Sequence, residues 1–300
     1  MVVVSDYAGP GAKDWADERA ILEAFGAQDL AESFEIVLME HERYRSACPD
    51  WLTRLAPRTT VHFAAHEWSS RLKDAAVPRC AGTLIAVVEA DSVPAPDWLR
   101  HLVAAMDADP GIDAASGRTT YGGGSALRRV LGVLDRGWMD PGRPGAIEHL
   151  SNNGALYRRA LLERFPYPAE PNAFLSARLR NRAMLDAGAR LYFEPRAVME
   201  HGFGGLGFEM DMRRNVGFAD GRLYLATARP PRSTPRALAT LIRRRLAGEW
   251  LDCRRLGPQY LRWYDWPLAL CLLGCVRLFE LPGALAALRG AASLPRTSYR

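Results

Sequence analysis

Short, continuous apolar runs alternate with helical patterns through the first half of the chain, and this rhythm constrains the fold more than any other feature. "MVVVS", "FEIVLME", "TTVHFAA" and "TLIAVVE" have the length of strands and carry almost no polar residue between apolar ones. Strands of that kind are buried on both faces. Between them lie helical patterns. "DWADERAILEAFGAQD" sets Ile21, Leu22 and Phe25 on one face, and a polar helical stretch surrounds "SSRLKDAA". In "DWLRHLVAAMDADPG", Asp97 stands where an N-cap belongs, and Trp98, Leu99, Leu102, Val103 and Met106 follow at helical spacing until "DADPG" stops the helix. The expectation is an α/β fold, a Rossmann-like, mostly parallel sheet with helices on both faces. Ligands in such sheets bind beyond the carboxyl ends of the strands. Glu40, Glu89 and Asp91 fall at those ends.

The second half is less regular. "GRTTYGGGSALRRVLGVLDRGWMDPGRPG" is glycine-rich and reads as mobile loops. "HLSNNGALYRRALLERFPYP" reads as strand, turn and helix. "NAFLSARLRNRAMLDAG" is a helix with Phe174, Leu175, Leu179 and Met184 inward and Gly188 at its C-terminal end. "RLYFEPRAVMEH" is a strand that ends at His201. Three prolines in "TARPPRSTPRA" suggest a boundary, giving a body of residues 1–228 and a helical C-terminal extension of residues 229–300.

The extension holds 13 arginines against four acids, so it carries about +9 of a total of +5 and leaves the body near −4. In it, "RALATLIRRRLAGEW" is a basic amphipathic helix, which fits an anionic membrane surface or a solvated face packed on the body. "WPLALCLLGCV" is uncharged but too short to span a bilayer, with Arg277, Glu280 and Pro282 interrupting its extension. It reads as a membrane-seated segment or a core helix. Nucleic acid is not the expected partner, because the arginines alternate with aliphatic residues rather than stacking aromatics. Five irregularly spaced cysteines form no CxxC pair and suggest reduced thiols in a cytosolic setting. The apolar start is shorter than a signal peptide.

Several familiar motifs fail. "GPGAKD" after the first strand has Asp14 where a dinucleotide fingerprint needs its third glycine, there is no GxxxxGK[ST] loop, and "GGSAL" lacks the last glycine of a nucleophile elbow. What remains is Glu89-Ala90-Asp91. Carboxylates at a strand terminus supply the hard oxygen ligands that Mg²⁺ or Mn²⁺ takes, and such an ion can bridge a diphosphate.

In context, "GTLIAVVEADSVPAPDWL" resembles the acidic metal-binding motif of family 2 glycosyltransferases, and the motifs on either side agree. "FEIVLME" resembles the family's second strand, and "RLKDAAVPRCAG" its helix before the metal motif. "SNNGALYRRALLERFPYP" resembles the acceptor-side segment, and "LRNRAMLDAGARLYFEPRAVMEH" the helix, glycine and strand ending in histidine. The resemblance covers roughly residues 1 to 225 and implies a GT-A fold, a nucleotide-sugar donor and a divalent metal. It implies Asp6, Glu40, Lys73, Asp74 and Glu89 as donor-side residues, Asn152, Asn153 and Arg158 on the acceptor side, and Asp91, Glu89 and His201 around the metal. Inverting transfer needs a general base. The family's Glu-Asp pair aligns with Pro171-Asn172, and Asn172 cannot take a proton as a carboxylate would; Glu170, two residues back, is the alternative.

Two readings follow. One is a metal-dependent, inverting glycosyltransferase acting on a hydroxyl or lipid-linked acceptor, or on a saccharide, and peripheral at the inner, cytoplasmic face of the cell membrane. The other is a catalytically impaired relative that binds a nucleotide sugar or a partner.

Overall fold

The structure is a computed structural model that describes residues 2–4, 14–56, 58–65, 68–151, 153–227 and 233–294. Its strands are β1 (Val2–Val4), β2 (Ile36–His41), β3 (Thr59–Ala64), β4 (Leu84–Glu89), β5 (Ser92–Pro94), β6 (Ala114–Tyr121), β7 (Gly145–Ala146), β8 (Gly154–Arg158) and β9 (Leu191–His201). Its helices are α1 (Ala16–Gly26), α2 (Ser69–Ala76), α3 (Trp98–Ala108), α4 (Ala126–Arg136), α5 (Arg159–Arg164), α6 (Ala173–Asp186), α7 (Leu206–Thr227), α8 (Thr234–Tyr260) and α9 (Trp266–Leu288). They group into two compact units. The first holds residues 1–120, 139–169 and 177–202, and the second residues 121–138, 170–176 and 203–300. The second unit runs through position 228, where the sequence suggested a boundary.

The first unit is built on the sheet, in the order β3-β2-β1-β4-β8-β6-β9-β5 with β7 beside β9. β1, β2, β3 and β4 pair in parallel; β8 is antiparallel to both β4 and β6, and β9 is antiparallel to β5 and β7. The parallel part comprises the apolar runs of the first half, and strand alternation explains why they are apolar throughout. Ile36, Leu38, Ala86 and Val88 face one core with Phe25, Trp98 and Leu102. Val37, Met39, Ile85 and Val87 face another with Leu72, Leu161 and Met184. Each strand therefore feeds two cores, so neither set of alternate positions can be polar.

Some local expectations change. Asp97 precedes α3 but makes no side-chain cap; its carboxylate lies 3.1 Å from His101 Nε2 instead. Gly188 does close α6, at φ +84°, with Gly188 N–H donating to the Leu185 carbonyl and Ala189 N–H to that of Met184. The stretch read as mobile loops contains α4, capped by Ser125, whose hydroxyl accepts from Arg128 N–H. Val130, Leu131, Val133 and Leu134 are its buried residues.

The second unit is helical. α9 runs unbroken through Arg277, Glu280 and Pro282, so it is much longer than its uncharged run. Trp263–Leu288 is long and apolar enough to cross a membrane by length and composition, with mean hydropathy 1.8 over an 18-residue window. The charges do not end the helix because both are neutralised inside the unit. Arg277 donates to both Glu249 oxygens at 2.7 Å and pairs with Glu280 at 2.8 Å. Arg213 donates to Glu209, Glu249 and Glu280 and pairs with Asp135. Four helices thus meet on one buried arginine–carboxylate network. α7 and α9 approach closely at Gly217 and Gly283, where a Cβ would run into a carbonyl oxygen of the other helix.

Burial above all pushes the Glu209 carboxyl up to about 7, with Glu249 and Glu280 adding to the shift and Arg136 opposing it. Between about pH 4.5 and 7 the folded chain therefore holds a proton that the unfolded chain has released. Glu209 thus supports folding fully below that window and loses up to about 3 kcal/mol of support as pH rises through it. Glu209→Gln should make the chain about 1–3 kcal/mol more stable than the parent at pH 8, and about equal to it near pH 4. Urea unfolding at the two pH values measures this; an equal stability difference at both would contradict it.

Candidate metal centre

The candidate site lies at the carboxyl edge of the parallel strands. β1 sets Val4 opposite both Glu89 and Met39, so Glu40 and the Glu89–Asp91 turn leave the sheet at the same level. The chain then turns at Ala90-Asp91 into β5, which pairs antiparallel with the end of β9, Ser92 against His201. Gly202 N–H donates to the Asp91 carbonyl at 2.7 Å and closes this pairing. A turn only two residues long therefore faces the end of a strand some 110 residues further along the sequence.

One donor atom from each of Glu89, Asp91 and His201 lies within 4.8 Å of the others, and all three residues are buried. His201 Nδ1 donates to the Gly202 carbonyl at 2.6 Å, because a carbonyl only accepts. In the neutral ring this leaves Nε2 as an acceptor, 3.2 Å from Asp91 Oδ2. Two acceptors at that distance need a positive group between them, either a proton or a cation. Around an octahedral ion with bonds of about 2.1 Å, neighbouring ligands stand about 3 Å apart, which matches this spacing. Two carboxylates and one imidazole also form a ligand set that suits a divalent ion such as Mg²⁺ or Mn²⁺.

Glu89 is held by its surroundings. Lys73 Nζ donates to its Oε1 at 2.6 Å with both side chains nearly inaccessible, and Asn153 Nδ2 donates to its Oε2. Asn153 N–H in turn donates to the Ser151 hydroxyl, which lies 3.2 Å from that of Thr119. Nothing in the sequence distinguishes Ser151 and Thr119 from ordinary strand and turn hydroxyls.

The remaining candidates are placed as follows. Glu40 is buried at the end of β2. The Asp74 carboxylate accepts from Tyr167 N–H at 3.1 Å, and burial pushes its pKa up. The Arg158 guanidinium donates to the carbonyls of Ile112 and Met106, tying down the C-terminal end of α3. Glu170 is half-buried. Asn172 caps α6, its Oδ1 accepting from Leu175 N–H at 2.9 Å while its Nδ2 donates to Asn215. Asp6 and Asn152 lie outside the described residues. The structure thus brings Glu89, Asp91, His201, Lys73 and Asn153 together, and it gives Asp74, Arg158 and Asn172 other partners.

No family model and no curated protein matches the chain. Solved structures do. A mannosyltransferase, PcManGT from Pyrobaculum calidifontis, in complex with GDP-Man and Mn²⁺, aligns with a TM-score of 0.60 at 17% identity over 96% of this chain and 86% of that one. S. aureus TarS 1-349 aligns with a TM-score of 0.50 at 14% identity over 96% and 89% of the two chains. GalNAc-T7 with UDP, GalNAc and Mn²⁺ aligns with a TM-score of 0.51 at 14% identity, over 74% of this chain and about half, 49%, of that one. At such identities the likeness carries the architecture alone: the chain has a GT-A-type fold.

Proposed function

We propose that this chain is a glycosyltransferase that moves a sugar from a nucleotide-sugar donor to a hydroxyl of a lipid-linked or saccharide acceptor, with inversion and with a divalent metal. The observation that carries the reading is the buried Glu89–Asp91–His201 cluster at the carboxyl edge of the parallel strands. The likeness in fold to glycosyltransferases solved with Mn²⁺ and GDP-Man, or with UDP and GalNAc, supports it.

Asp91, His201 and Glu89 would hold the cation, which when bound neutralises charge on the departing diphosphate. Lys73 and Asn153 fix the Glu89 carboxylate and balance its charge. Glu40 is suited to contact the nucleoside at the same strand ends. Glu170 takes the proton from the acceptor hydroxyl as that oxygen attacks the anomeric carbon. The bond from that carbon to the diphosphate oxygen breaks, and the nucleoside diphosphate leaves with the electron pair. Asn172 is occupied as a helix cap, which supports Glu170 over the family position. We place the transferase machinery in residues 1–228, and in residues 229–300 the contact with the cytoplasmic face of an anionic membrane.

The absence of a carboxylate at position 172 also favours a second reading, in which the chain binds a nucleotide sugar without turning it over. One set of measurements separates the two. Titration calorimetry should show GDP or UDP binding that depends on Mn²⁺, and Asp91→Asn should weaken it at least about tenfold while the thermal midpoint holds. Release of nucleoside diphosphate from the matching sugar donor should fall about 100-fold or more in Glu170→Gln, with nucleotide binding unchanged. Binding without turnover by the parent chain selects the second reading. Equal Mn²⁺-dependent binding by Asp91→Asn would remove the metal site.

A further inference from the structure

α9 is inside out for a helix on the surface of a water-soluble unit. Its only charged residues, Arg277 and Glu280, are buried, whereas its exposed positions carry no charge. Those positions recur at spacings of three and four from Pro267 to Pro282 and include Leu270, Cys271, Cys275 and Leu278, with Leu270 55% and Leu278 64% exposed. An amphipathic helix against water shows the opposite distribution. At the start of the helix Trp263 is 84% exposed, and its ring packs edge-on against that of Tyr264. Beside α9, Ile242, Arg243, Leu246 and Trp250 of α8 line an open apolar groove of about 710 Å³ with Leu273 of α9.

The charge around this face has one sign. Among the described residues from 233 onward, all four acids, Glu249, Asp252, Asp265 and Glu280, are buried. They pair with arginines: Glu249 with Arg213 and Arg277, Asp252 with Arg255, Asp265 with Arg129, and Glu280 with Arg277. Arg236, Arg243, Arg244, Arg254, Arg262 and Arg289 are exposed. The surface formed by α8 and α9 is therefore apolar and positive, with no exposed carboxylate.

From this we infer that the exposed stripe of α9, with the α8 groove beside it, is a docking face for an anionic lipid bilayer. The stripe would enter the acyl boundary, Trp263 and Tyr264 would sit at headgroup level, and the arginines would meet the headgroups. A second copy of the chain fits less well, because it would set arginines against arginines with no exposed acid to separate them. An anionic lipid surface satisfies both the apolar and the charged part. This deepens the membrane part of the proposed function and rests on that part alone.

The test uses the full chain with no nucleotide, donor or metal, so its failure is independent of any failure of glycosyl transfer. Sedimentation with phosphatidylcholine vesicles containing phosphatidylglycerol should carry the protein down, and vesicles of phosphatidylcholine alone should carry much less. Leu270→Glu with Leu278→Glu should lower partition at least about tenfold, and Leu270→Ser with Leu278→Ser should lower it less. Both pairs lie at exposed positions, and circular dichroism checks that the fold is kept. Arg243→Ser and Arg244→Ser should each cost about fivefold and flatten the salt dependence. The inference is overturned if the parent stays in solution with anionic vesicles, or if the leucine variants partition as the parent does. It is also overturned if the parent is a dimer without lipid and Leu270→Glu with Leu278→Glu makes it a monomer.

Discussion

The candidate site depends on one short antiparallel pairing, that of Ser92–Pro94 with the end of β9. Three residues of strand would be worth little alone, but the turn before them is bonded into the same place, through the Asp91 carbonyl and Gly202 N–H. The pairing fixes the backbone of Asp91 and His201 together, and the His201 side chain then has one orientation, set by its bond to the Gly202 carbonyl. The orientation decides which ring nitrogen meets Asp91, and hence whether the pair can take a cation.

Glu89 shows how the fold tolerates a carboxylate in the wall of its core. Burying a carboxylate costs several kcal/mol unless partners surround it. Lys73 from α2 supplies the opposite charge and Asn153, at the start of β8, a neutral donor. Glu89 is therefore held from two elements before any ligand arrives. The second unit solves a similar problem at larger scale. Arg213 and Arg277 gather acids from several helices, so charged residues can sit inside a helical unit while the exposed stripe of α9 stays uncharged.

Much of the first unit was legible because its signals are local. Continuous apolar runs marked β2 and β4 because those strands feed two cores, and a strand end can be read once the strand is found. That placed Glu89, Asp91, Glu40 and His201 at the sheet edge. Local signals failed where long-range partners decide the outcome. α4 was hidden by flanking glycines that suggested loops. Arg277 and Glu280 looked like interruptions because their counter-charges, Glu249 and Arg213, are distant in sequence. Asp97 looked like a cap but found His101. Arg158 and Asp74 bond backbone groups far along the chain, and no local signal marks those pairings. Lys73 was legible as a residue of interest, but the buried pair with Glu89 was not, since nothing in the sequence marks two residues 16 apart as partners.

The central claim is that Asp91, His201 and Glu89 hold a divalent cation. Anomalous diffraction at the manganese edge, from crystals of the full chain grown with Mn²⁺ and GDP or UDP, tests it most directly. The account expects one strong anomalous peak within about 2.5 Å of an Asp91 carboxylate oxygen and of His201 Nε2. A map with no peak at that edge of the sheet, or with its peak at a different set of ligands, would contradict it.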